Sequence, residues 1–163
     1  MKRITSITQK FLIFVSFFLI LAVAGSWLYI NSIKILEKYT AATDVLSSIK
    51  SDIVALEYAF DIFIIAGDFE KGGTEAVKEK AKVIDREIEQ LESLPVTAIF
   101  RDNPALAGEY KAFVNEWKLV KEKIMGMGGV ISKEEGFLIH NDVDLKTFII
   151  TEKIGRLSSF IYD

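Results

Sequence analysis

Apolar residues recur at alternating steps of three and four along four stretches of the chain. This spacing places one apolar stripe along each of four α-helices, as in coiled-coil-like packing. No stretch of comparable length alternates with period two, so the pattern predicts an all-α fold. The stripe residues are Tyr39, Ala42, Leu46, Ile49, Ile53, Leu56, Phe60 and Phe63; Val77, Ala81, Ile84, Ile88 and Leu91; Leu106, Tyr110, Phe113, Trp117, Val120, Ile124 and Met127; and Val143, Thr147, Ile150, Ile154, Leu157 and Ile161.

Glycine and proline separate the first three stripes. Gly67-Asp68 and Gly72-Gly73 are expected to end the first helix, because glycine is unfavourable in a helix interior. Thr74, which precedes Glu75, is a candidate N-cap for the second helix. Pro95 is expected to stop that helix.

The last two helices have clearer start signals. Asn103 followed by Pro104 supplies an N-cap and a proline at the first helical position, where a missing N–H has no cost. Gly126, Gly128 and Gly129 are expected to end this helix, and Ser132 has capping-box spacing to Glu135. We therefore predict helices over about 31–67, 75–94, 104–127 and 133–163. Short connections make neighbouring helices antiparallel, which predicts an up-down-up-down four-helix bundle.

An uncharged segment of twenty residues, Phe11–Ile30, precedes the first stripe. As a helix it spans about 30 Å, the thickness of the hydrocarbon core of a bilayer. Residues 1–10 carry three basic and no acidic side chains, so the positive-inside rule predicts a cytoplasmic N-terminus. Trp27 and Tyr29 fit the headgroup level at the far end. We predict a single transmembrane helix over 11–30 in the bacterial inner (cell) membrane, with residues 31–163 on the periplasmic or extracellular side.

A cleaved signal peptide is the alternative for this segment. Ala22-Val23-Ala24 has the spacing of a cleavage site before Gly25. Hydrophobicity continues through Ile30, which favours an uncleaved anchor. Both interpretations export the rest of the chain.

Composition excludes several kinds of function. The chain has no cysteine, which removes disulfides and thiolate chemistry. After residue 10 the chain carries a net charge of −6, so nucleic acid is not an expected partner. The single histidine, His140, cannot form a recognisable metal site and is expected at the surface. No catalytic motif is present, and we predict a protein that is not an enzyme and needs no cofactor.

The pattern resembles the four-helix-bundle ligand-binding region of bacterial methyl-accepting chemotaxis proteins and related transmembrane sensors. The resemblance lies in the basic start Met1–Thr5, in Ile7–Lys10 running into the anchor, in the long helix Asn31–Ala66, and in the helix-ending stretch Glu57–Asp68. It implies a homodimeric receptor that binds a small molecule outside the cell and relays a helix displacement across the membrane. It also implies a second membrane helix and a cytoplasmic signalling region beyond residue 163.

Other functions fit the same pattern. A sensor histidine kinase or a cyclase would use the same kind of input domain. A secreted or anchored ligand-carrying bundle, or a structural coiled coil, would need no output region. Amino-acid receptors of the resembling family hold the ligand carboxylate with arginines on the first bundle helix, and this chain has no arginine between Asn31 and Gly73. The ligand is therefore an unidentified small molecule.

Two groups of polar residues are candidate ligand contacts. Arg101, Asp102 and Asn103 lie in the predicted loop before the third helix, where loops often carry ligand contacts. Glu57 and Asp61 are four residues apart and so share one helical face. They could contact a cation or an amine, or they could simply be solvated.

The same stretch of the first helix is apolar around most of its circumference. A helix of this kind is usually buried on more than one side. One face is expected in the bundle core and another against the same helix of a second subunit. The predicted dimer contacts are Ile53, Val54, Phe60, Ile62 and Ile65.

Overall fold

The structure is a computed structural model that describes residues 7–66, 71–128 and 131–162. These residues form five α-helices and no strand, so the all-α prediction is confirmed. The chain divides into two compact units, Met1–Lys38 (unit 1) and Tyr39–Asp163 (unit 2). The helices are α1 (Ile7–Ala66), α2 (Lys71–Ser93), α3 (Val96–Asp102), α4 (Pro104–Gly126) and α5 (Lys133–Tyr162).

Unit 1 contains the N-terminal part of α1. Every side chain from Gln9 to Lys38 is exposed, although Phe11–Ile30 is almost wholly apolar. Among the described helices, α1 alone is long and apolar enough to cross a membrane, with a mean hydropathy of 2.5 in its most apolar window. Length and composition are the only basis for this assignment, and a signal sequence near the N-terminus has the same properties.

The core of unit 2 consists of the predicted apolar stripes. All stripe residues of the second and third predicted helices are buried, as are those of the fourth up to Leu157. Tyr39 and Ile161, at the two ends of the pattern, are partly buried and pack against the core. Thr147 is the polar member, and its hydroxyl donates to the carbonyl oxygens of Val143 and Asp144, both at 3.0 Å. The heptad spacing therefore predicted the core positions correctly.

Ion pairs at three residues of α4 connect it with α5, and Glu109 pairs with Arg156 as well as with Lys153. From one pair to the next, the α4 residue moves toward the C-terminus while its α5 partner moves toward the N-terminus. The two helices are therefore antiparallel. The pairs are Glu109 with Lys153, Glu116 with Lys146 and Lys123 with Asp142, at 3.0, 3.1 and 2.7 Å.

Helix α2 contacts both α4 and α1. Asp85 on α2 accepts hydrogen bonds from the Trp117 indole at 3.3 Å and from the Lys121 ammonium at 2.5 Å. The Ser48 hydroxyl on α1 donates to the Glu87 carboxyl on α2. These contacts place α2 beside both of its neighbours.

The start signals of the last two helices are confirmed. The Asn103 side chain accepts a hydrogen bond from the Ala105 N–H at 2.9 Å, and Pro104 opens α4. The Ser132 hydroxyl accepts from the Glu135 N–H at 3.1 Å. Both contacts satisfy backbone donors that have no partner within the helix.

The connections around α2 differ from the prediction. Helix α2 begins at Lys71, so Gly72 and Gly73 lie inside it. Thr74 is completely buried within the first turns of the helix and is not an N-cap. The predictions that concern Lys2, Arg3, Gly67, Asp68 and Gly129 lie outside the described residues.

The segment between Pro95 and Asn103 is a helix where a loop was predicted. Helix α3 runs over Val96–Asp102 and buries Val96, Thr97 and Phe100. The Thr97 hydroxyl donates to the Leu91 carbonyl oxygen. This short helix therefore packs onto the core at the end of α2.

Candidate functional site

The three candidates near residue 101 have different environments. Arg101 and Asp102 are exposed on the last turn of α3, and they are not in a loop as predicted. Asn103 is half-buried, and its side chain is used to cap α4. Of the three, only Arg101 lines a cleft, and it brings a positive charge to it.

This cleft has a volume of about 330 Å³ and lies where α2, α3 and α4 meet. Arg101 approaches Glu92 of α2 at 3.9 Å, and its guanidinium lies 5.8 Å from the ring centre of Tyr110 on α4. We call this space between the three helices the Tyr110 cleft. Its lining residues are Glu92, Arg101, Ala107, Tyr110, Lys111, Val114 and Asn115.

Tyr110 is the most deeply buried polar residue of the cleft. Only 5% of its surface is exposed, and its ring packs against Phe100 and Phe113 with centres 6.0 and 6.2 Å away. Its hydroxyl is buried and has no partner at hydrogen-bonding geometry among the described residues. Burial raises the pKa of this hydroxyl above its ordinary value, while Arg101 lowers it and Glu92 raises it.

Asp61 is paired with His140, a residue that no sequence pattern connects to it. The His140 ring Nε2 lies 2.8 Å from an Asp61 carboxylate oxygen, and its Nδ1 lies 3.5 Å from Asp144. The ring also packs edge-on against Phe60, with centres 5.6 Å apart. The His140 side chain is 15% exposed, so the residue lies half-buried at the surface, between α1 and α5. The pair joins α1 to α5.

The two groups of candidate residues do not form one site. Asp61 contacts α5 at His140, whereas Glu109, near the start of α4, contacts α5 at Arg156. These positions on α5 are separated by roughly 24 Å, at 1.5 Å per residue. Arg101 precedes α4 and so lies toward the Arg156 end. Glu57 is half-buried on α1, one helical turn before Asp61.

The predicted dimer contacts divide into two sets. Ile53 and Phe60 are fully buried in the core because they occupy core positions of the heptad, and they cannot face a second subunit. Val54, Ile62 and Ile65 are 56, 49 and 84% exposed. These three remain candidates for a contact between copies.

An additional surface of α5 was missed by the sequence reasoning. Leu138, Leu145 and Phe148 are 70, 61 and 67% exposed and share one face of α5. Phe148 lines a groove together with Lys50 of α1, so this face borders α1. Tyr58 of α1 is also exposed, by 66%. Heptad spacing relative to the core stripe could have identified these outward positions.

Comparisons with protein families, curated proteins and solved structures find no match for this chain.

The described residues include no cluster of three or more histidine, aspartate or glutamate side chains that could hold a metal ion. The residues beside the Tyr110 cleft and the exposed faces of α1 and α5 are the features that bear on function. The first can bind a small polar molecule, and the second can contact another protein surface.

Proposed function

We propose that this chain is the extracytoplasmic input portion of a bacterial transmembrane receptor, with chemotaxis as its output. In this proposal it is similar to the ligand-binding region of methyl-accepting chemotaxis proteins. The main support comes from α1, which carries the one candidate membrane span among the described helices and also an outward apolar face in unit 2. A small molecule bound to unit 2 would change the position of the helices.

The proposal includes an antiparallel four-helix bundle made of α1, α2, α4 and α5. Side-chain contacts support a closed order of these helices. Ser48 joins α1 to α2, Asp85 joins α2 to α4, and Asp61 joins α1 to α5. The ion pairs between α4 and α5 complete the order.

The receptor is proposed to be anchored by Phe11–Ile30 with its N-terminus in the cytoplasm. The absence of charge in this segment and the exposure of its side chains support a membrane anchor. The basic residues before it support the cytoplasmic N-terminus. Alkaline phosphatase fused after residue 163 should be active, since this enzyme matures outside the cytoplasm. An inactive fusion in an intact, inserted protein contradicts the orientation.

The mature N-terminus separates an anchor from a signal peptide. Mass spectrometry of the protein purified from bacterial membranes should find Phe11–Ile30 retained. A mature chain that begins at Gly25 contradicts the anchor. It would favour the second candidate function, a secreted ligand-carrying bundle, for which Ala22-Val23-Ala24 provides the cleavage spacing.

We further propose that two copies pair through the outward faces of α1 and α5. Val54, Tyr58 and Ile65 are exposed on α1, as are Leu145 and Phe148 on α5, and Phe148 shares a groove with Lys50 of α1. Exposed apolar surface of this kind is typical of protein interaction sites. Two membrane anchors would raise the effective concentration of the copies, so that a modest interface suffices.

Signalling would then consist of a small shift of α1 relative to α5. Packed helices have discrete arrangements and move by about 1–2 Å between them. A ligand needs only to favour one arrangement by a few kcal/mol. A histidine kinase or a cyclase output would use the same shift.

Disulfide trapping in the membrane tests the dimer. The chain has no native cysteine, so single cysteines at Val54, Tyr58 and Ile65 are the only thiols in each variant. They should cross-link two copies much more readily than cysteines at Glu79 and Lys118, which are exposed on α2 and α4. Equal yields at all five positions, in protein that is inserted and folded, would contradict the dimer.

A further inference from the structure

The Tyr110 hydroxyl is a buried polar group that Arg101 and Glu92 approach closely enough to shift its pKa, although neither meets it at hydrogen-bonding geometry. It lies at the wall of the Tyr110 cleft, with no partner at hydrogen-bonding geometry in the part of the chain that the structure describes. A buried donor without an acceptor is destabilising, and phenylalanine would fill the same space without this cost. The hydroxyl therefore suggests an acceptor that comes from outside the chain.

The residues around this hydroxyl determine the charge of the acceptor. Arg101 and Lys111 bring two positive charges to the Tyr110 cleft, and Glu92 brings one negative charge. Arginine offers paired N–H donors whose geometry matches a carboxylate. Glu92 lies 3.9 Å from the Arg101 guanidinium and would repel a second negative charge on a ligand held there.

The apolar part of the lining limits the ligand further. Ala107 and Val114 line the cleft on the α4 side and offer a surface for a short hydrocarbon group. A volume of about 330 Å³ is at the small end of the range for ligand sites. The cleft thus fits a small molecule with one charged end and one apolar end.

We propose that the Tyr110 cleft binds a small monocarboxylate, with its carboxylate held by Arg101 and the Tyr110 hydroxyl and its apolar part against Val114. Lys111 adds a positive charge at the entrance, and Glu92 selects against dicarboxylates and phosphate. This site rests on the proposed sensor function and gives that sensor a ligand class. Because α2, α3 and α4 each contribute a lining residue, an occupied cleft ties these three helices together.

The proposal is tested by calorimetric titration of the full chain in detergent micelles with isovalerate, a branched monocarboxylate. Isovalerate should bind, and succinate and inorganic phosphate should bind at least tenfold more weakly. Tyr110→Phe should weaken isovalerate binding about tenfold, and Arg101→Gln should weaken it further. The control Arg86→Gln removes an exposed arginine of α2 outside the cleft and should leave binding unchanged.

Thermal unfolding gives a second measurement on the same proteins. Tyr110→Phe should unfold at a temperature no lower than the unchanged chain, because the hydroxyl makes no hydrogen bond in the described structure. At the same concentration, isovalerate should raise the unfolding temperature of the unchanged chain more than that of Tyr110→Phe, since a ligand stabilises the state that binds it in proportion to its affinity. A variant that fails to fold would show itself as a loss of helical circular dichroism, and for Tyr110→Phe that loss contradicts the proposal.

Three results would overturn the site: no heat from isovalerate, equally tight binding of phosphate or succinate, or unchanged isovalerate binding by Tyr110→Phe and Arg101→Gln. These outcomes are independent of the cross-linking test for the receptor. Binding without cross-linking between copies would retain the cleft and reject the dimeric sensor. Cross-linking without binding would retain the dimer and reject the cleft.

Discussion

Within unit 2, α1 and α2 have similar inner faces and opposite outer faces. Both bury a heptad stripe, with Phe60 on α1 and Ile84 on α2 as fully enclosed examples. The outer face of α2 carries Glu79, Lys82 and Arg86, and the first two form an ion pair at 2.5 Å. The outer face of α1 carries exposed Val54, Tyr58, Ile62 and Ile65. The inner faces of both helices explain folding. Of the two outer faces, only that of α1 exposes apolar residues that a partner would cover.

The comparison predicts that core truncations on the two helices are equally severe. Phe60→Ala should lower the free energy of unfolding by about 3–5 kcal/mol, and Ile84→Ala by about 2–5 kcal/mol, because each leaves a cavity. Denaturant unfolding of the full chain in micelles, followed by circular dichroism, measures both. A loss below about 1 kcal/mol for either variant would mean that the residue is not enclosed as described.

Outer-face substitutions should separate the two helices. Tyr58→Ser and Ile65→Ser on α1 should change the free energy of unfolding by less than about 0.5 kcal/mol, as exposed substitutions do. Both should nevertheless weaken self-association about tenfold, which corresponds to about 1.4 kcal/mol. Glu79→Ser on α2 is the matched control and should change neither. Dimer fractions in micelles over a range of protein concentrations measure association, and equal effects of all three would remove the distinction between the faces.

The residues of the inner faces could be predicted from the sequence, whereas contacts between side chains far apart in the chain could not. Spacing of three and four identifies Ile84 and Trp117 as core residues, because the helix period alone determines which face of the helix each side chain occupies. Helix α3 was missed because Val96–Asp102 spans only two turns, too short for a periodic signal. The contact of Asp61 with His140 joins residues 79 positions apart, and no spacing rule records it. The stripe predicted that Tyr110 is buried, but only the structure shows that its hydroxyl has no partner at hydrogen-bonding geometry among the residues it describes.

Asp61 is a charge on the outer side of α1, and its contact with His140 can be tested separately. His140→Ala should lower the free energy of unfolding by about 0.5–1 kcal/mol, because the exposed carboxylate keeps its hydration and loses one hydrogen bond. His140→Gln, which keeps a donor, should recover part of this loss. An effect above about 3 kcal/mol would indicate that His140 acts mainly through packing on Phe60.

The smallest expected effect concerns the contact between the two helices at Ser48 and Glu87. Burial raises the pKa of Glu87 above its ordinary value of 4.5; the hydrogen bond from Ser48 lowers it, and nearby Asp52 raises it. The folded state therefore keeps this proton to a higher pH than the unfolded state. The contribution of Glu87 to stability is present below pH 4.5 and is lost as the pH rises through the raised pKa.

Glu87→Gln removes this pH dependence. The difference in unfolding temperature between Glu87→Gln and the unchanged chain should move in favour of the variant as the pH rises from 4 to 7. Comparing the two proteins cancels the contributions of other acids, such as Glu109, whose pKa Lys153 lowers. A difference that stays constant with pH, or that moves against the variant, contradicts the assignment.

The ion pairs between α4 and α5 also restrict how the lengths of these helices can change during evolution. Glu109, Glu116 and Lys123 are seven residues apart on α4, and each meets a partner on α5. Deleting one residue would rotate every later side chain by about 100° and turn both the core and the pairs away from their partners. Deleting seven residues from both helices would leave a rotation of about 20°. Natural variants of this protein should therefore differ in length by matched seven-residue steps in α4 and α5, and by single residues only in the connections.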